Sequence, residues 1–379
     1  MRPMRILSGV LIVVATAAVA HAQDAPRSRP WSFSLSAGAS YEGNALFTAA
    51  EEDNTEFAQH VTASLGRTWT LRRGSVGLAA RADKPFYDES TGLNDLRYSF
   101  NGTLTYAFTP RLTWGASSEF SSSLAQESDV LIDAGLVLPS VTTRSTTSTS
   151  SLSYLLTRRS LLSWSFGGTG VDFASALFVA GSSLTSTVNW SHQVGARQSL
   201  GVSQEYQRTF AELTRANIFG FFGTWSMAGR GGWTAAASAG VRPYTVPLES
   251  GYRLSGAFNA SIAKTVRLGQ VLSVQYADTI EQTYGLDATN HLVHTLSGSY
   301  LMGLGRSVSA TFGGSFSRGR NPVTDAILLG GAGQASIGYR ILDNLSLTVG
   351  SAVFSRTEQD RPRVVSYSTY VSLMYSGGW

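Results

Sequence analysis

DLRYSFNGTLTYAFTPRLTWGASSEF, residues 95–120, decides the fold. Leu96, Tyr98, Phe100, Gly102, Leu104, Tyr106 and Phe108 occupy every second position. Arg97, Ser99, Asn101, Thr103, Thr105 and Ala107 lie between them. A period of two is that of a strand with one apolar and one polar face. Thr109-Pro110-Arg111 turns the chain, and Leu112, Trp114, Ala116 and Phe120 resume the apolar face. Each run is long enough to cross a bilayer, since a tilted transmembrane strand needs about 9–11 residues. One hairpin fits a soluble sheet or a membrane barrel equally well. Its recurrence along the chain favours the barrel.

The pattern predicts about 18 strands, alternating short turns with longer loops. Short turns fall near residues 72, 110, 158, 195, 230, 267, 305 and 343. They recur about every 35–38 residues, with one longer interval of about 48 that contains the Leu124–Thr143 connection. A propeller blade would need four short strands and a recurrent Trp-Asp signature, and each repeat here has two long strands and no such dipeptide. The expected fold is therefore all-β, a transmembrane antiparallel up-and-down barrel of about 18 strands. Trp69, Tyr106, Phe108, Trp114, Trp164, Trp190, Trp225, Trp233, Tyr339 and Tyr375 lie near short turns on apolar faces, as an interfacial girdle requires. Gly330-Gly331-Ala332-Gly333 is not followed by a helical pattern and is expected to be a loop.

Composition agrees. Charged residues make up 14% of the chain, against about 25% in soluble domains. There is no cysteine, so stability rests on hydrogen bonding and burial. Arg2 and Arg5, the apolar run Ile6–Val19 and Ala20-His21-Ala22 read as a secretory signal peptide over 1–22. A membrane anchor is the weaker reading, because the run is shorter than about 18–20 residues. Residues 23–30 are then a short periplasmic segment and 31–379 the barrel. Losing Arg2 and Arg5 reduces the 29 basic residues to 27, against 25 acidic, so nucleic acid is not an expected partner. Both chain ends are expected on the periplasmic, short-turn side.

Over its mature length the chain resembles a bacterial outer-membrane β-barrel of the porin-like kind. The alternation Val365, Tyr367, Thr369, Val371, Leu373, Tyr375 is similar to the assembly signal of such proteins, and implies recognition by the barrel-assembly machinery. Ser376-Gly377-Gly378-Trp379 extends past Tyr375 and departs from that signal. Tyr41-Glu42-Gly43-Asn44 after the first strand is similar to a stretch in barrels associated with exopolysaccharide operons.

Enzyme motifs are nearly absent. His291 and His294 would lie on opposite faces of a strand and could not share a metal. An outer-membrane hydrolase would need Ser and His with an acidic partner, and no spacing singles one out. No cofactor or metal is expected. The polar faces supply candidate lumen residues: Arg81, Asp83, Arg97, Asn101, Glu119, Glu205, Gln207, Arg253, Asn259, Gln275, Arg340 and Arg356. Arg72, Arg73, Arg111, Arg158, Arg159, Arg197, Arg230, Arg267 and Arg306 should ring the periplasmic rim, reaching lipid phosphates or attracting anionic solutes. Acids gather in the long loops, where they would meet divalent cations of a lipopolysaccharide layer. The loop Leu124–Thr143 is expected to fold into the lumen, with Asp129 and Asp133 at a constriction. The expected function is a passive channel for a small polar solute or an exported polysaccharide. A non-conducting, surface-binding barrel is the alternative, and a hydrolase a more distant one.

Overall fold

A computed structural model describes residues 31–44, 55–88, 93–124, 141–174, 178–211, 214–246, 251–267, 269–282, 290–359 and 363–378. The signal peptide and short periplasmic segment expected over 1–30 lie outside these residues. Eighteen strands account for nearly all of them. They are β1 Trp31–Gly43, β2 Glu56–Leu71, β3 Gly74–Tyr87, β4 Arg97–Thr109, β5 Leu112–Leu124, β6 Thr142–Thr157, β7 Ser160–Phe173, β8 Gly181–Gly195 and β9 Gln198–Ala211. The second half holds β10 Thr214–Ala228, β11 Trp233–Tyr244, β12 Arg253–Arg267, β13 Gln270–Gln282, β14 Asn290–Leu304, β15 Val308–Arg320, β16 Ile327–Leu342, β17 Leu345–Glu358 and β18 Val364–Gly378.

Each strand pairs antiparallel with the next, as in Ser64 opposite Arg81 and Gly102 opposite Ser118. The meander closes where β1 meets β18, with Leu35 opposite Tyr375 and Tyr41 opposite Thr369. The Phe33 and Tyr375 rings meet across this closure, 5.7 Å apart. Closure leaves neither terminal strand as a free edge, which a sheet solvated by lipid cannot tolerate.

The two faces separate as the alternation predicts. Leu35, Phe100, Val202 and Ile337 stand on the outside at 53–58% exposure. A soluble protein would cover so large an apolar belt. Here it encircles the molecule, so the outer wall is a lipid-facing surface. The girdle residues near the short turns lie on this same outer parity, and Phe108 and Trp114 stack with ring centres 6.4 Å apart. Tight turns at 72–73, 110–111, 158–159, 196–197 and 343–344 mark the short-turn end.

One expectation fails. Gly330-Gly331-Ala332-Gly333 is not a loop but part of β16. Gly330 pairs with Ser317 and Arg356, and Gly333 with Gly314 and Val353, so two ladders fix a segment with little strand propensity. Ser376–Gly378 likewise belong to β18, paired with Ser32–Ser34. The last strand therefore runs past Tyr375.

The outward parity of β4 is open to test by single-cysteine labelling from lipid. Tyr98, Leu104 and Tyr106 positions should label, and Asn101 and Thr103 should not; equal labelling of both sets would contradict the register. Leu104→Arg should cost up to about 2–4 kcal/mol in refolding titrations, depending on its depth in the bilayer.

Candidate functional site: the charged lumen

Strand parity puts all twelve expected lumen residues on the inner face. Arg81 lies opposite Ser64 and Ser99, Asn101 opposite Glu119, and Gln275 opposite Ser261. Glu119 lies opposite Thr147, and Gln207 opposite Thr185. Arg340 is opposite Ser346 near the short-turn end, and Arg356 opposite Gly330 near the loop end. The nine rim arginines stand exposed at the short-turn end, and the Arg73 guanidinium donates to the Phe108 carbonyl at 3.0 Å. Asp129 and Asp133 lie outside the described residues.

The structure gathers the remaining five into two clusters on different parts of the wall. The first sits on β1–β4 toward the loop end. Asp83 lies opposite Arg97 in the β3–β4 ladder. Thr62 Oγ1 donates to Asp83 at 2.5 Å, and His60 Nδ1 is 3.8 Å from the other carboxylate oxygen. His60 Nε2 is 3.0 Å from Ser40 Oγ, which donates to Glu42 at 2.8 Å. Tyr87 donates to the second Glu42 oxygen at 3.1 Å and accepts from Arg97 Nη2 at 3.4 Å. Carboxylates from two strands and an arginine from a third are thus joined through hydroxyls and one imidazole.

Ser40, His60 and Asp83 bring together the residue types of a hydrolytic triad, which spacing along the chain did not reveal. Their polarity is wrong for one. The single Ser40 proton is given to Glu42, so His60 Nε2 acts as the donor to Ser40 Oγ and cannot accept its proton. Ser40 is 5% exposed. It lies in a strand paired on both sides, with Ala58 and Tyr370, so the neighbouring N–H groups serve the ladder and form no oxyanion hole.

The second cluster lies on β9–β13. Arg242 Nη2 is 3.6 Å from Glu205, its guanidinium lies 5.0 Å from the centre of the Phe222 ring, and Nη1 donates to the Asp278 carbonyl. The Asp278 N–H donates to Asn259 Oδ1 at 3.0 Å. These contacts need an unusual backbone. Parity would place Asp278 and Ile280 on the outer wall, in line with Leu272 and Val274. Yet Ile280 is 4% exposed and packs with Ile218, Tyr244 and Val246, from β10, β11 and the residues following it. The β12–β13 ladder ends at Ala260 opposite Tyr276, whereas β13 remains paired with β14 up to Gln282. The loop-side end of the β13–β14 hairpin therefore leaves β12 and bends inward over the inner face of β10 and β11. Arg253 on β12 donates to the Pro322 carbonyl, tying the β15–β16 connection to the same wall.

Parts of the inner face are thus covered at the loop end. On β6 and β7, the inward-facing Thr143, Thr169 and Val171 are at most 2% exposed. His291 is buried and His294 outward, on opposite faces as expected. Among the described residues no group of three or more potential ligands could hold a metal ion. Sequence reasoning missed Ser40, Glu42, His60, Tyr87, Arg242 and Asp278. Parity alone could have found the first five, which sit on inner-face positions; nothing in the local pattern signals the bend that brings the Asp278 backbone to Arg242, with its carboxylate left 3.8 Å from the outward His294.

No known family and no curated protein matches the chain. Several solved structures have a similar fold. OpdK, an outer membrane protein of Pseudomonas aeruginosa solved with vanillate, is 14% identical with a TM-score of 0.47, over 92% of this chain and 99% of that one. OccK2 (OpdF) of the same organism, in complex with glucuronate, is 13% identical with a TM-score of 0.47, over 91% and 98% of the two chains. OccAB4 of Acinetobacter baumannii is 9% identical with a TM-score of 0.46, over 92% and 98%.

Replacing Arg242 by Ala should release the bent hairpin. Loss of the hydrogen bonds to a charged group should cost about 1.5–3 kcal/mol, and single-channel conductance should rise with the barrel still folded. Unchanged conductance would mean that the bend does not narrow the path.

Proposed function

We propose that this chain is an outer-membrane barrel acting as a passive aqueous channel for small polar solutes. One observation carries the reading: a closed 18-stranded wall, apolar outside, surrounds an inner face lined by paired charges and small polar side chains. Barrels of this strand number leave an aqueous lumen unless it is plugged. The inward β13–β14 hairpin and the buried inner-face residues of β6 and β7 narrow the lumen without replacing its polar lining. A narrowed lumen suits a small solute better than a wide polymer, and this favours the polar-solute reading over polysaccharide export.

Charges of both signs alternate around the narrowing. Glu42 and Asp83 sit with Arg97 in one cluster, and Glu205 with Arg242 in the other. A solute carrying both a carboxylate and hydroxyl groups would find donors and acceptors in either cluster. The exposed rim arginines would raise the local concentration of anions at the short-turn mouth. The even wall of β18, continuous to Gly378, is the surface on which assembly machinery would act, and the acidic loops would face lipopolysaccharide. With the proton of Ser40 given to Glu42 and no oxyanion donors beside it, a hydrolase reading has no support.

Planar-bilayer recording tests the proposal. Discrete conductance steps are expected from the purified mature chain; a folded barrel that never conducts would instead favour the structural or surface-binding reading. Reversal potentials under a salt gradient should show a mild anion preference that fades toward 1 M salt, where screening falls to about 3 Å. Replacing Arg72, Arg158 and Arg230 together by Ser should remove that preference. A cation preference that ignores these substitutions would leave the rim arginines a lipid-contact role only.

A further inference from the structure

Arg67 stands on the wrong face for a charge. It follows Phe57, Val61 and Leu65 on the outward parity of β2, opposite Trp31 on β1 and Leu78 on β3. Its guanidinium carbon lies 4.6 Å from the centre of the Trp31 ring and 4.7 Å from that of Trp69. Two indoles therefore hold it in place on the girdle. Among the described residues it has no carboxylate and no hydrogen-bond acceptor, and its Nε is buried without a partner. A cation on a lipid-facing wall is costly unless an anion meets it.

Beside Arg67 the wall is hollowed. A groove of about 500 Å³ runs from the two tryptophans across β3, β4 and β5. Leu65, Phe100 and Phe120 form its upper lip, and Ala80, Gly102 and Ser118 its floor. Gly102 sits where the neighbouring outward positions of β4 carry Phe100 and Leu104. A Cβ there would meet only Leu78 Cδ2 at 3.5 Å and the Ser118 carbonyl at 4.0 Å, so the space is open and not forced by close backbone packing. Its volume lies within the range of about 300–1,000 Å³ typical of small-molecule sites.

We propose that this groove is a binding site for one glycerophospholipid of the adjacent leaflet, with the phosphate on the Arg67 terminal nitrogens and an acyl chain along the Gly102 floor. The charge decides the occupant. A second copy of the chain docked on this face would bury both Arg67 guanidiniums against linings that hold no carboxylate to pair them. A phosphate offers the bidentate partner that a guanidinium takes, while the groove accepts the hydrocarbon that accompanies it. The site lies on the outside of the wall and does not depend on whether the lumen conducts.

Native mass spectrometry of the delipidated mature chain tests this with two probes, dioleoylphosphatidylglycerol and dioleoylglycerol, which share acyl chains and differ in the phosphate. The wild type should retain one phosphatidylglycerol and release the diacylglycerol. Arg67→Gln should weaken retention about tenfold, equivalent to about 1.4 kcal/mol. Gly102→Leu, which fills the floor, should weaken it as well, with single-channel conductance unaltered in both variants. Equal retention of the two probes, or retention unaffected by Gly102→Leu, would overturn the proposal, and both comparisons hold even if Arg67→Gln fails to fold. A wild-type dimer that Gly102→Leu dissociates would assign the groove to a second copy instead.

Discussion

Every backbone N–H and C=O in the hydrocarbon must find its partner within the protein, and the structure follows from that requirement. A sheet meets it only by closing, so β1 must find β18 although more than 300 residues separate them. Closure makes strand number and register collective properties. A one-residue slip anywhere would turn Arg97 and Asn101 to lipid and Tyr98 and Leu104 to the lumen. The alternation that specifies each strand therefore also specifies the whole wall. Little else is demanded of the side chains, which explains why so many inner positions are simply Ser, Thr, Gly or Ala.

The same requirement explains where the bent hairpin is allowed. The β12–β13 ladder is intact from the short turn up to Ala260 and Tyr276, and fails only toward the loops. Along that stretch Asn259 accepts from the Asp278 N–H, and Arg242 donates to the Asp278 carbonyl. Side chains thus replace part of the missing ladder. A barrel can depart from regularity where water or protein covers the exposed edge, and the departure sits at the loop end for that reason. A hairpin that leans over β10 and β11 presents side chains where a straight wall would not.

How much was legible depended on the range of the signal. Strand count, turn positions and the sorting of side chains to two faces are local properties, repeated often enough to be read through noise. Strand ends were less legible. β8 is evident as Leu184–Trp190 but extends from Gly181 to Gly195, and β16 begins at Ile327, before its Gly-rich run. Beyond the apolar belt neither face is selected for hydrophobicity, so alternation stops before the strand does. The site was half legible. Parity assigned Asp83, Arg97, Glu205 and Asn259 to the lumen, yet Ser40, His60 and Asp83 converge from three strands, with nothing in their spacing to announce it. Asp278 differs again: the bend brings its backbone carbonyl and N–H to Arg242 and Asn259, while its carboxylate keeps the outward parity, 3.8 Å from His294 Nδ1.

The inner charges are arranged as cross-strand sets and not as a uniform ring, and this has a consequence for what the lumen can discriminate. A ring of one sign would attract any counter-ion and hold it too long to conduct well. Glu42 and Asp83 are satisfied by Thr62, Ser40, Tyr87 and His60 before a solute arrives, and Arg242 by Glu205 and the Asp278 carbonyl. On the proposed channel reading a permeant would have to compete with these contacts, and so would be bound weakly and released readily. Selectivity then comes from matching several donors and acceptors at once, since a solute that breaks one contact without replacing it leaves a partly buried charge short of a partner. In such a channel geometry held by the wall, more than net charge, would set which solutes pass.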